Sequence, residues 1–195
     1  MRLFSPVDRS KSPSARQTLN CTSGPIYRAA SEGQAWRLRS GVVRLDNIGP
    51  KGEAVFASLA IAGDIIGCET LLFGAYTFSA TALTQCEMSP WPEGDSVPAG
   101  ESLLASLAQA QRRAADVVAL RGGQAADRVL GLIRLLVDST GQVVLPMRQD
   151  IADITDLRFE TISRIIKQLE RMQILLPLRM DGVHATRGFR VNLPA

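Results

Sequence analysis

One stretch near the end of the chain, residues 159–171, has the two-faced pattern of an amphipathic helix. Four apolar residues recur at helical spacing and are predicted to be buried: Ile162, Ile165, Ile166 and Leu169. A carboxylate, a hydroxyl and three cations recur on the opposite face: Glu160, Ser163, Arg164, Lys167 and Arg171. Such groups can read base edges and bind phosphates in DNA. The alternative is an ordinary helix with a solvated charged face.

The residues around this helix favour the DNA interpretation. Ala152 is small enough for a preceding helix to cross closely, and a sharp turn is predicted four residues later. This arrangement predicts a helix-turn-helix whose second helix enters the major groove. After it, residues 174–176 and 188–191 are β-prone and flank a predicted turn at 180–183. The C-terminal part is therefore predicted to be a winged helix-turn-helix domain over residues 123–195.

The segment Glu160-Thr161-Ile162-Ser163-Arg164 resembles the recognition-helix signature of the Crp/Fnr family of bacterial transcription regulators. The resemblance is closest to the Fnr/FixK branch, whose helix reads E-T-[IV]-S-R, and residues 145–157 resemble the family's preceding helix. Two positions depart from the family pattern. Asp156 replaces the usual turn glycine, and Asp tolerates the left-handed conformation that the turn requires. Met147 replaces the usual Ser or Thr, which predicts a missing helix cap worth about 1 kcal/mol.

The resemblance implies a palindromic site with TTGA-like half-sites. Three residues, Glu160, Ser163 and Arg164, are predicted to face base edges, and Lys167 to contact phosphate. The full predicted DNA-binding set is Arg148, Gln149, Arg158, Glu160, Thr161, Ser163, Arg164, Lys167 and Arg187.

The distribution of charge agrees with this placement. The net charge of the 195-residue chain is only +3. Residues 158–190 contain seven Lys/Arg and three acids, so this segment alone carries 7 − 3 = +4. The positive excess is therefore concentrated where DNA is predicted to bind.

Residues 25–97 have the pattern of short strands punctuated by glycines, which predicts a small antiparallel barrel or double-sheet roll. Three segments, 39–43, 62–67 and 79–83, resemble the effector domain of the Crp/Fnr family. The predicted fold class is therefore α+β: an N-terminal β-roll similar to cyclic-nucleotide-binding domains, a long dimerisation helix and a winged helix-turn-helix. Residues 1–24 are polar and aperiodic, and are predicted to form a flexible arm; an arm that binds DNA is the alternative.

The ligand of the roll is not identified by the sequence. In the cyclic-nucleotide branch a Glu and an Arg hold the ribose and phosphate, but the aligned positions here are Cys68 and Phe78. A phosphate beside Phe would have no charge partner, which argues against cyclic AMP. Cys21 stands without neighbouring cysteines, which argues against an iron–sulfur cluster. Cys68 and Cys86 are either redox-reactive thiols or small buried residues. The only histidine, His184, lies outside the roll and is predicted to be a surface residue; haem is not excluded.

Residues 98–122 are predicted to form one helix that pairs two subunits. Its apolar residues alternate offsets of four and three, as in a coiled coil: Leu103, Leu107, Ala110, Ala114 and Val117. Packing of this helix on its own roll is the alternative, and one helix can do both. Gly122-Gly123 ends the helix where the family has its interdomain hinge.

Together these features predict a homodimeric, sequence-specific transcription regulator that binds double-stranded DNA and has no cofactor. RNA polymerase is an expected partner if the protein is an activator, and the small-molecule effector is unknown. A second hypothesis is a redox or gas sensor with a cofactor such as haem in the roll. No nucleophile–base pair or phosphate loop is visible, so an enzyme is not expected. No apolar run reaches the roughly 20 residues of a membrane span, and the sparse cysteines suggest the cytoplasm.

Overall fold

In the computed structural model of the protein, the described residues are 18–92, 99–181, 183 and 187–192. The first half of this described part contains eight strands and one short helix. They are β1 (Leu19–Cys21), β2 (Gly24–Tyr27), β3 (Ala35–Ser40), β4 (Val42–Ile48), β5 (Ala54–Ile61), β6 (Ile65–Ile66), α1 (Thr70–Phe73), β7 (Ser79–Ala82) and β8 (Cys86–Trp91). The strands form two four-stranded sheets, in the orders β1-β8-β3-β6 and β2-β7-β4-β5. Every pairing within them is antiparallel.

A hydrophobic core fills the space between these two sheets, and both sheets contribute to it. Its buried members are Leu38, Val43, Ala60, Ile66, Ala80, Ala82, Cys86 and Met88. The side chains alternate along each strand, so that one side of each sheet faces this core. The predicted α+β class and the double-sheet roll are confirmed.

Gly41 joins β3 to β4 and shows why this strand pattern is interrupted by glycine. Its φ of +92° lies in the left-handed region, and a Cβ built on it would lie 2.6 Å from the Cys86 Sγ atom. A side chain at this position would be strained and would also collide with β8.

The predicted flexible arm is wrong at its C-terminal end. Strand β1 pairs with β8, and β2 begins at Gly24. Leu19 and Cys21 pack against the roll core, and this burial helps to offset the entropy lost on ordering three residues. A three-residue strand is too short to show a period in the sequence. Residues 1–17 lie outside the described residues.

The second half of the described part contains four helices and three strands. They are α2 (Ala99–Ala119), α3 (Ala125–Leu136), β9 (Gln142–Val144), α4 (Arg148–Thr155), α5 (Phe159–Arg171), β10 (Leu175–Pro177) and β11 (Gly188–Val191). The strands form an antiparallel sheet in the order β10-β11-β9. The two segments predicted to be β-prone, 174–176 and 188–191, contribute the paired strands β10 and β11. None of the described helices has both the length and the apolar character needed to cross a membrane.

One hydrophobic core joins the outer side of the roll to the C-terminal part. Val42, Leu59 and Leu83 of the roll belong to the same buried cluster as Val117 and Leu120 at the end of α2. This cluster continues through α3, α4 and α5. The glycine pair at 122–123 is therefore a bend in the chain, with Gly123 at a φ of +75°, and one packed core bridges it.

Candidate nucleic-acid interface

Helix α5 has the two faces that its sequence predicts. Its four inward residues are buried: Ile162, Ile165, Ile166 and Leu169. On the opposite face Glu160, Arg164 and Lys167 are exposed, whereas Thr161 and Ser163 are half-buried. The apolar face holds the helix in the core, so the polar face is presented to solvent from a rigid support.

The turn between α4 and α5 has the predicted geometry. Ala152 is buried where the helices pack together, at 3% exposure. Asp156 ends α4 with φ 53° and ψ 49°, in the left-handed region, and its amide donates to the Ala152 carbonyl. Met147 precedes α4 without a side-chain cap, as predicted. The helix-turn-helix spacing is therefore achieved without the usual glycine.

Three further predicted DNA-binding residues lie at the N-terminal ends of α4 and α5. Arg158 precedes α5 and is exposed. Gln149 is also exposed, and its Nε2 donates to Asp153 Oδ1 at 3.0 Å. Arg148 is half-buried, and burial lowers the pKa of its guanidinium while Glu170 opposes that shift. Arg148 is the first residue of α4, and Arg158 immediately precedes α5.

The structure contradicts the predicted role of Arg187 as a phosphate contact. Its Nε donates to the Leu145 carbonyl at 2.7 Å, and its Nη2 donates to the Leu83 carbonyl at 2.6 Å. Burial lowers the pKa of Arg187, and Asp150 opposes that shift. Because its Nε and Nη2 bind the protein's own carbonyls, Arg187 joins the C-terminal sheet to the roll. His184 and the tip of the predicted wing at 182 and 184–186 lie outside the described residues.

Two exposed apolar residues lie beside this surface and were missed in the sequence analysis. Phe159 opens α5 with 47% exposure, and Met147 precedes α4 with 59% exposure. A large apolar side chain that stays exposed beside polar groups can contact a thymine methyl in the major groove. Both lie at the N-terminal end of a helix, where the spacing of apolar residues does not predict whether a side chain is buried or exposed.

A cluster around Arg44 connects α4 to the roll and was also not predicted. Arg44 Nε lies 2.7 Å from Asp46 Oδ1, and its Nη1 lies 2.8 Å from Asp153 Oδ2. Burial lowers the pKa of Arg44, but the hydrogen bonds to Asp153 and Asp46 outweigh it and raise the pKa overall. Arg121 donates to the carbonyls of Ile154 and Asp153. Helix α4 is therefore held against the roll by Arg44 of β4 and against the end of α2 by Arg121.

The predicted seam on α2 is wrong at one position. Val117 is 4% exposed and belongs to the core that joins the roll to the C-terminal part. Leu107, Ala110 and Ala114 are exposed, and the side chain of Leu103 is outside the described set. A straight helix turns by about 20° per heptad relative to a 3.5-residue repeat, which carries the predicted line into the protein's own core at Val117.

A corner of the roll is filled by two tyrosine rings. Tyr27 and Tyr76 stack with centroids 3.7 Å apart and planes within 8°. A Cβ at Gly67 would lie 2.5 Å from the Tyr76 ring, so glycine makes room for this stack. Cys68 and Phe78, which stand where the cyclic-nucleotide branch has its ligand-binding Glu and Arg, are both half-buried. Neither of these two residues is a carboxylate or a guanidinium, and the neighbouring Glu69 carboxylate accepts a hydrogen bond from the Thr77 amide at 3.2 Å.

Comparisons with known proteins agree on one family. No protein-family profile matches the sequence. The nitrogen fixation regulation protein FixK of Bradyrhizobium diazoefficiens is 32% identical over 176 residues, covering 77% of this chain and 73% of that protein. A CRP-family transcriptional regulator from Thermus thermophilus has a similar structure, with a TM-score of 0.66 at 23% identity over 90% of this chain and 92% of that one. FixK2 from Bradyrhizobium japonicum matches with a TM-score of 0.64 at 23% identity, over 92% and 94% of the two chains. The two structures show the fold and the FixK relative shows the family: the chain belongs to the Crp/Fnr family and is a DNA-binding transcription regulator, not an enzyme.

Proposed function

We propose that the protein acts in the cytoplasm as a homodimer and recognises a palindromic DNA site with TTGA-like half-sites. Helix α5 of each subunit's winged helix-turn-helix enters the major groove. The observation that carries this proposal is the exposed polar face of α5, which a fully buried apolar face holds in position. A two-fold dimer presents two such helices, and their half-sites lie about one helical turn of DNA apart.

The exposed residues of α5 divide by chemistry. The Arg164 guanidinium can donate two hydrogen bonds to guanine O6 and N7, and the Glu160 carboxylate can accept from cytosine N4. Ser163 is close enough along the helix to contact the neighbouring base pair. These three side chains come from the N-terminal half of the helix, which is the part that enters the groove in helix-turn-helix proteins.

A second group is suited to the sugar–phosphate backbone. It comprises Arg148, Gln149, Arg158, Thr161 and Lys167, at the two helix starts and farther along α5. Contacts of this kind set the register and orientation of the protein on DNA and carry no sequence information. Arg187 is excluded from the group because its guanidinium binds the carbonyls of Leu83 and Leu145.

Helix α2 supplies the surface for the second subunit, along a line that differs from the predicted seam. Leu104, Leu107 and Val118 are 70%, 52% and 72% exposed, and together with Gln111 and Ala114 they follow offsets of 3, 4, 3 and 4. Those offsets are the heptad pattern of a helix pair. Apolar side chains so exposed on a single helix gain stability when a second copy covers them.

Selection from a pool of random duplexes, followed by binding at increasing salt, tests the proposal. The selected sites should be palindromic with TTGA-like half-sites, and affinity should fall steeply with salt because bound Lys and Arg displace counterions. A titration of the protein alone by sedimentation should show a dimer. Selected sites with one unpaired half-site would contradict the dimer, and affinity that is flat with salt would contradict a phosphate-binding surface.

A further inference from the structure

Cys21 and Cys86 lie directly opposite each other on neighbouring strands. Strands β1 and β8 are antiparallel, and their register pairs Leu19 with Met88 and Cys21 with Cys86. Directly opposed residues of an antiparallel pair project to the same side of the sheet. Here both cysteines face the roll core, where Cys86 is buried and Cys21 packs against it half-exposed. Both are free thiols in this structure.

The spacing of opposed strand residues suits a disulfide. Such residues have Cα atoms about 4.5–5.5 Å apart, inside the range of about 4.4–6.8 Å that disulfides span. Their Cβ atoms are about 4.5–5.5 Å apart, whereas a disulfide brings them to about 3.5–4.5 Å. A shift on the order of 1 Å therefore closes the bond. Strand β1 can make this shift, because it is three residues long and lies at the edge of its sheet.

We propose that Cys21 and Cys86 form a reversible intramolecular disulfide when the protein meets a peroxide. The Cys21 thiol gives up its proton, and the thiolate attacks one oxygen of hydrogen peroxide. The O–O bond breaks, and the departing hydroxide takes up that proton and leaves as water. The resulting sulfenic acid is attacked by the Cys86 sulfur, which forms the S–S bond while its proton and the hydroxyl leave as a second water. Two thiols thus lose two electrons to the peroxide, and a dithiol reductant returns them.

The environments of the two sulfurs set this order of reaction. Burial raises the pKa of the Cys86 thiol, and its Sγ donates weakly to the carbonyls of Val42 and Thr84 at 3.4 and 3.3 Å. Cys86 is therefore the less reactive thiol, and the half-exposed Cys21 meets the oxidant first. The third cysteine, Cys68, precedes α1 on another part of the roll, where burial also raises its pKa.

Cys86 is also close to the space between the roll and the C-terminal part. Cys86 lines a cavity of about 700 Å³, together with Gly41 of the roll, Val143 of β9 and Asp181 beyond β10. The cavity reaches Cys86, whereas Cys21 is reached from solvent at the edge strand β1. The inference rests on the strand register, and it does not depend on the proposed DNA site.

Peptide mapping of the full chain tests the proposal. The reduced protein is treated with a small excess of hydrogen peroxide, alkylated, and digested with trypsin and a protease that cleaves after Glu. This digestion separates the cysteines onto residues 17–28, 54–69 and 70–87. The expected product is a cross-link between 17–28 and 70–87, two hydrogens lighter than the separate peptides, which a dithiol removes. The oxidised chain should also melt higher than the reduced chain, by roughly 5 °C or more.

Variants distinguish this bond from other oxidation products. Cys21→Ser should lose both the cross-link and the rise in melting temperature, whereas Cys68→Ser should keep both. Cys86→Ala serves as a second test that leaves no polar atom buried. A cross-link through Cys68, a disulfide between two chains, or overoxidation of Cys21 while Cys86 stays alkylatable would each overturn the proposal.

Discussion

Replacing Arg44 with methionine should weaken the attachment of α4 to the roll. Arg44 projects from β4, and its two nitrogens bind Asp46 at 2.7 Å and Asp153 of α4 at 2.8 Å. Its guanidinium carbon also lies 5.6 Å from the centroid of the Phe56 ring. Methionine keeps much of the aliphatic length and removes the charge, so the variant tests the ion pairs more than the packing.

The expected loss follows from how deeply each partner is buried. The side chains of Arg44 and Asp46 are 12% and 8% exposed, so removing the cation strands a buried carboxylate, at a cost of about 3–5 kcal/mol. Asp153 is 39% exposed, and solvent screening limits its pair to about 1 kcal/mol or less. The contact with Phe56 adds about 1 kcal/mol. Asp46 therefore dominates, and the three losses together should lower the unfolding free energy by about 4–7 kcal/mol.

The loss should shrink at lower pH. Burial raises the pKa of Asp150, and Arg44, whose Nη1 lies 3.9 Å away, now lowers it. Without Arg44 the pKa of Asp150 rises further above its unfolded value. A carboxyl with a raised folded pKa takes up its proton first in the folded state, so the variant regains stability as pH falls through that pKa.

Urea unfolding at pH 7 and at pH 5 measures both effects. A double-mutant cycle with Asp153→Asn separates the weaker pair, and its coupling energy should be about 0.5–1 kcal/mol. Arg134→Met, on the exposed side of α3, is the matched control and should change stability by less than about 0.5 kcal/mol. A loss below about 1 kcal/mol for Arg44→Met at pH 7 would refute the assignment of a buried ion pair.

Three further predictions concern other parts of the molecule. Arg164→Ala should cost about 1–3 kcal/mol on the preferred site and relax the choice of guanine, while Lys167→Ala weakens all sites alike; unchanged guanine preference in a random-duplex selection would contradict this assignment. Val118→Glu should give a folded monomer by sedimentation, whereas Val117→Glu, which buries a charge, should unfold the chain; a dimeric Val118→Glu protein would place the interface elsewhere. Asp138→Asn should lower the urea midpoint at neutral pH. Burial works to raise the pKa of Asp138, but hydrogen bonds from Thr140 and Gln142 outweigh it and lower the pKa. This stabilisation is therefore present above the unfolded pKa of 3.8 and is lost as pH falls through the lower folded value; a difference that persists in acid would exclude this cause.

Local features of the sequence determined much of the candidate interface. The apolar period of α5 predicted its buried face, because a helix repeats its environment every 3.6 residues. Asp156 and Met147 were predicted at the two ends of α4 from the conformations and caps that those residue types allow. Glycine spacing likewise predicted the short strands of the roll. In each case the cause lies within a few residues along the chain, so no distant contact is needed to see it.

Contacts between distant segments were decided only by the tertiary structure. Arg187 binds the Leu83 carbonyl 104 positions away, and Arg44 binds Asp153 109 positions away. Both side chains are ordinary surface cations in the sequence, and only the docking of the C-terminal part on the roll brings acceptors to them.

The same holds for the inward side of α2 and for the cysteine pair. Leu107 and Val117 are both apolar residues of α2 on the predicted seam, yet Leu107 is 52% exposed and Val117 is 4% exposed. The difference arises because the core formed by the roll and α3 covers only one side of the helix. Cys21 lies opposite Cys86 because of the register between β1 and β8. A register shifted by one residue would instead place the Cys21 side chain on the other side of the sheet, away from the core. The order of residues along the chain determines which side of each helix or strand is apolar. The packing of the helices and strands determines which residues each side contacts.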